Sequence, residues 1–91
     1  MNLNIEKKSK LGRIDYLILT TLWEEKAFSP TVTCTIQEIN EVVSEVKRSC
    51  IWKHIHTLIQ EGFLIESGLF KRQKEYYLSE KGKETIERWS K

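Results

Sequence analysis

Ninety-one residues, 40% hydrophobic and 31% charged, suffice for one small globular domain and signal neither a disordered chain, a coiled coil nor a membrane protein. Fifteen basic against thirteen acidic residues leave a formal charge of only +2, so any case for a nucleic-acid partner must rest on where the charges fall. A core this small buries only about 60 to 70% of the unfolded chain's surface, so additional burial against a second copy is expected.

Residues 1–10 carry Lys7, Lys8 and Lys10 without a sustained apolar period and read as a flexible basic arm ahead of a single domain spanning 11–91. The arm could reach a phosphate or a groove, or serve as a solvated tail or dimer contact. The apolar stretch from Leu11 to Trp23 is interrupted by Arg13 and Asp15 and lacks a small-residue cleavage site, so no leader or membrane span is expected and the protein is read as cytoplasmic.

From Leu11 the residues Ile14, Leu17, Ile18 and Leu22 recur at three and four, the spacing of one helical stripe. This predicts a first helix ending near Ala27. Pro30 stops helical continuation, and Thr31, Val32, Thr33 and Cys34 are β-branched enough for a short extended segment. Thr35, Ile36, Gln37 and Glu38 match a capping box that opens a second helix, with Ile36, Ile39 and Val43 inward and Glu38, Glu41 and Glu45 outward.

A third helical pattern follows Val46, with Ile51, Ile55, Leu58 and Ile59 on its core stripe and Gly62 as its C-terminal stop. Its free face holds Arg48, Ser49, Trp52, Lys53, His56 and Gln60, with Lys47 at the N-terminal end. No acid occurs between residues 46 and 60. Phe63–Glu66 and Lys74–Leu78 read as two strands of a hairpin whose tip carries Lys71, Arg72, Gln73 and Lys74. Ser79 can cap a last short helix, Glu80 to about Trp89, with Ile86 and Trp89 on one side.

Cys34 and Cys50 are too few for a disulfide framework and are expected to be free, packing thiols. Cys50 and His54 stand four apart, a spacing that can hold a metal or can simply flank the core; two residues alone make no site, and no metal or other cofactor is expected. Paired acids, a nucleophile with an oriented base, and Gly-rich phosphate loops are all missing from the spacings, so no enzyme is expected.

The order of these elements, and above all Ile51 to Ile65 and Tyr76-Tyr77-Leu78-Ser79-Glu80-Lys81-Gly82, resembles the winged helix-turn-helix superfamily. The latter run is similar to the Tyr-x-Leu-Thr-x-Lys-Gly segment after the wing in small bacterial and archaeal regulators of the MarR, PadR and ArsR kinds, with Ser79 for Thr. The sequence departs from them at Val43-Ser44-Glu45-Val46, where members often have glycine. The resemblance implies an α+β, mainly α fold: a three-helix core, a β-hairpin wing and a short C-terminal helix. The chain is shorter than typical MarR or PadR proteins, so no small-molecule effector is expected.

These readings converge on sequence-specific binding of double-stranded DNA by a homodimer. A helix about 10 to 12 Å across fits a major groove about 12 Å wide, so Lys47, Arg48, Ser49, Trp52, Lys53, His56 and Gln60 are the candidate readers. Trp52 has two roles open to it, packing on a sugar or thymine methyl and covering the core edge. Lys71, Arg72, Gln73 and Lys74 would contact phosphates or the minor groove, while Leu3, Ile5, Leu11, Ile86 and Trp89 are candidates for the dimer contact. A transcriptional repressor is the expected role; a plasmid, mobile-element or viral DNA-handling protein, and an interaction module without DNA binding, are the alternatives.

Overall fold

In the computed structural model, described over residues 11–68 and 74–89, the periodic stretches become helices α1 Arg13–Glu24, α2 Ile36–Val42, α3 Arg48–Gln60 and α4 Glu80–Trp89. Strands β1 Cys34–Thr35, β2 Leu64–Ser67 and β3 Glu75–Leu78 form an antiparallel sheet in the order β1-β3-β2. The hairpin register pairs Leu64 with Leu78 and Glu66 with Tyr76, and β1 joins its far edge through Cys34 opposite Tyr76. Among the described residues no helix is long and apolar enough to cross a membrane.

Local chemistry sets the helix ends. The Thr35 hydroxyl accepts from the Glu38 amide at 3.2 Å while the Thr35 amide donates to Glu38 Oε1 at 2.9 Å, completing the expected capping box of α2. Gly62, at φ +89°, follows α3 as expected. Its amide donates to Ile59 O at 3.0 Å and that of Phe63 to Leu58 O at 2.9 Å, the double bond pattern that closes a helix through a left-handed residue.

Helix α1 stops three residues before the expected Ala27. Lys26 takes φ +59° in the same left-handed closure, its amide bonding Trp23 O and that of Ala27 bonding Leu22 O. Ala27 is then buried, and its carbonyl accepts the Leu78 amide at 2.9 Å. The extended segment is likewise shorter than expected: Ser29 and Val32 form an isolated bridge around Pro30, and only Cys34 and Thr35 of the region join the sheet. Phe63 and Lys74 fall just outside the strands that their sequence suggested.

The stripes meet in one core. Ile18, Leu19 and Leu22 from α1, Ile39 from α2, and Ile51, Ile55 and Leu58 from α3 pack with Leu64, Tyr76, Leu78 and Ile86, all at 4% exposure or less. Each fully buried aliphatic side chain contributes roughly 1.5 to 3 kcal/mol through removal from water. Ile86 was a candidate for a dimer contact, but its place on the inner face of α4 commits it to the chain's own core.

The segment after β3 is a lock. Ser79 Oγ accepts from the Gly82 amide at 3.0 Å, capping α4, and donates to Gly62 O at 2.5 Å. The Ser79 amide bonds Phe63 O at 3.1 Å, and Lys81 Nζ donates to Glu61 O at 2.7 Å while lying over the Phe63 ring at 4.5 Å. A Cβ on Gly82 would sit 2.3 Å from Phe63 O. The Leu-Ser-x-Lys-Gly run therefore joins the hairpin base and α4 to the C-terminal end of α3.

Candidate nucleic-acid interface

Helix α3 owes its position to contacts at both ends and along one side. The turn Val43–Lys47 has no glycine; instead Asn40 Nδ2 donates to both Val43 O and Val46 O at 3.1 Å. These bonds satisfy carbonyls that the end of α2 would otherwise leave without partners. Arg13 at the start of α1 forms a two-pronged ion pair with Glu45 in the same turn, one prong measuring 3.1 Å from NH2 to Oε1.

On the side facing α1, His54 Nδ1 donates to Asp15 Oδ1 at 2.7 Å, and the other oxygen of Asp15 accepts the Gly12 amide at 3.0 Å. Asp15 is a buried carboxylate. A buried charge is tolerated only when its lone pairs are met, and this one ties α1 to α3 across the core. His54 thus serves the pairing of α1 with α3.

Among the described residues nothing covers the opposite side of α3. Arg48, Ser49, Trp52, Lys53, His56 and Gln60 are all exposed, as is Lys47. Lys47 occupies the N-cap without a side-chain cap bond, and the first turn has no acid. The partial positive charge of a helix N-terminus is therefore reinforced by Lys47 and Arg48, in contrast to α2, whose first turn is met by Glu38. Trp52 stacks on His56 with ring centres 5.2 Å apart and planes 12° from parallel. Gln60 Nε2 lies 3.4 Å from His56 Nε2. Trp52 is 51% exposed on this face.

Lys74, just before β3, pairs with Glu66 of β2 at 3.1 Å across the hairpin. Glu75 accepts from Thr33 Oγ1 at 2.7 Å. Lys71, Arg72 and Gln73 lie outside the described residues, as do Leu3 and Ile5.

At the α1 and α4 edge, Leu11 is half-buried and Tyr16 and Trp89 are exposed with ring centres 4.6 Å apart. Sequence spacing had singled out Trp89 but missed Tyr16, whose place on the outer face of α1 becomes significant only once α4 lies beside it. A groove of about 750 Å³ runs between α1, α3 and α4, lined by Leu11, Asp15, Phe63, Lys81, Arg88 and Trp89 among others.

Both cysteines are free thiols, Cys34 buried and Cys50 half-buried on α3. Burial, then the nearby carboxylates of Glu38 and Glu25, push the Cys34 thiol up to about 11. It is a packing group, not a nucleophile.

No protein-family model matches the sequence, and neither does any curated protein sequence. Solved structures do match. TubR from Bacillus megaterium pBM400 superimposes with a TM-score of 0.83 at 19% identity, covering 99% of this chain and 98% of that one. BpsR of Bordetella bronchiseptica, whose DNA binding is regulated by 6-hydroxynicotinic acid, matches with a TM-score of 0.75 at 17% identity over 90% of this chain and 54% of its own. The transcriptional regulator SlyA matches at 0.72 and 23% identity, over 98% and 58%. The chain thus spans little more than half the length of these two regulators and nearly all of TubR. The shared architecture is a winged helix: α2 and α3 form the helix-turn-helix, and β2 and β3 the wing.

Proposed function

We propose that the protein is a non-catalytic, sequence-specific DNA-binding protein that inserts α3 into the major groove as one half of a homodimer. The observation that carries this reading is the outward face of α3: seven exposed residues, no acid in the helix's first turn, and, among the described residues, no element laid over it. In this reading Lys47 and Arg48 neutralise phosphates at the helix N-terminus. Ser49, Lys53 and His56 project from a rigid helix toward base edges. Lys71 and Arg72, on the wing, contact phosphate or the minor groove without reading individual bases.

The homodimer reading is supported by the exposed Tyr16 and Trp89 pair beside half-buried Leu11, an apolar edge that a second copy would cover about a two-fold axis. A regulatory role in transcription, proposed here to be repression, is supported at the level of regulation by the regulators among the matching structures. A DNA-handling role on a plasmid or mobile element, such as partition, is the second reading. It is favoured by the correspondence with TubR, which covers 99% of this chain and 98% of that one.

Selection of duplexes from a random pool at about 0.15 M salt, followed by gel shifts and light scattering, tests the proposal. A recovered inverted repeat bound by two copies supports it, and direct repeats with cooperative spreading favour the second reading. Lys71→Ala with Arg72→Ala should weaken all duplexes alike, whereas Lys53→Ala or His56→Ala should flatten discrimination by about 1 to 3 kcal/mol per lost base contact. Failure to retain any duplex would refute DNA binding.

A further inference from the structure

Trp52 is the anomaly of the α3 face. Indole is ordinarily drawn into a core, yet this ring is half-exposed among Arg48, Ser49 and Lys53. Nor does it hang loosely. His56, one turn further along, lies nearly parallel to it at 5.2 Å, and Gln60, another turn on, sits 3.4 Å from His56. The three form a ladder along the helix, and a ring held in that way loses little freedom when something packs against it.

The surroundings restrict what that something can be. A second copy of the same face would bring Arg48 and Lys53 against their own duplicates, with no acid in α3's exposed face to relieve the repulsion. A duplex supplies phosphates for the cations. It also supplies, on the edges of its bases in the major groove, one apolar group: the C5-methyl of thymine. Indole offers a donor at Nε1 and no acceptor, so its large apolar surface has this methyl as its natural complement among the base edges.

We infer that Trp52 is a specificity-determining residue that packs on a thymine methyl, an inference resting on the DNA-binding reading above. The His56 and Gln60 side chains position the indole, and Lys47 and Arg48 hold the phosphates at the N-terminal end of the helix. Loss of the methyl alone should cost about fourfold in affinity per half-site, the value of burying one methyl group.

The test uses the duplex selected by the full-length protein, with each thymine replaced in turn by deoxyuridine, which removes only the methyl. Affinity is read by fluorescence anisotropy at fixed salt for the wild type, Trp52→Ala and Trp52→Phe, each checked for an unchanged melting curve. The wild type should lose about fourfold at one thymine in each half-site. Trp52→Ala should bind the thymine and deoxyuridine duplexes equally, and Trp52→Phe should keep part of the difference. Equal binding of every deoxyuridine duplex by the wild type, or full discrimination retained by Trp52→Ala, overturns the inference and leaves DNA binding standing. Retention of no duplex overturns both.

Discussion

Replacing Gly82 by alanine sets two physical effects of opposite sign against each other. Gly82 lies in the first turn of α4, and helix propensity alone gives alanine an advantage there of about 1 kcal/mol. The added Cβ, however, would stand 2.3 Å from the Phe63 carbonyl oxygen, a backbone atom, and 3.1 Å from a Leu78 methyl. To reach ordinary contact, α4 must withdraw by about 1 Å from the end of α3. That withdrawal loosens three bonds across the junction, Ser79 N to Phe63 O, Ser79 Oγ to Gly62 O and Lys81 Nζ to Glu61 O. At about 1 kcal/mol net for each, the loss exceeds the propensity gain by about 2 kcal/mol. In a domain of this size that lowers Tm by about 8 to 16 °C. Thermal denaturation followed by circular dichroism reads the difference. A Tm unchanged or raised in Gly82→Ala would refute the packing account of the Ser-x-Lys-Gly segment and leave only local helix preference.

Lys26→Gly should raise stability by about 0.5 to 1 kcal/mol, since a left-handed φ of +59° is costly for lysine and free for glycine; a denaturant midpoint shifted downward would contradict the closure described for α1. Iodoacetamide at pH 8 should label Cys50 and leave Cys34 unmodified in the native protein, because the Cys34 thiol, raised to about 11, remains protonated until the solution is far more alkaline. Asn40→Ala should cost about 1 to 3 kcal/mol, by freeing the Val43 and Val46 carbonyls, and a smaller loss in chemical denaturation would mean that water replaces the amide without penalty.

What could be read from the sequence was chiefly what is local or periodic. The Thr35 and Glu38 box, Gly62 after α3 and Ser79 before α4 each act within a few residues, so spacing alone located them. The core stripes of α1 and α3 were equally visible, although Ile86, legible as an apolar position, could not be assigned to the core or to a partner before α4 had been docked. The hidden parts are pairs far apart in the chain or without a period. Asp15 and His54 are 39 residues apart, and the spacing of His54 from Cys50 left open whether His54 flanks the core, when the side chain that it bonds lay on another helix. Lys74 looked free until the fold of the hairpin brought Glu66 within 3.1 Å of it. Asn40 replaces the expected turn glycine by capping carbonyls three and six residues ahead, a role that no propensity for asparagine in mid-helix would suggest.

The central claim, that the exposed face of α3 carries the duplex, is tested most directly by the salt dependence of binding. Affinity for the selected duplex should be measured from about 0.05 to 0.2 M salt for the wild type, for Lys47→Ala with Arg48→Ala, and for Lys83→Ala, whose ammonium pairs with Glu80 on α4. Each phosphate contact contributes about 0.9 to the slope of log affinity against log salt. The α3 double variant should therefore lose about 1 to 2 units of slope per subunit, while Lys83→Ala keeps the wild-type value. An unchanged slope in the double variant would place the phosphates elsewhere and contradict the account.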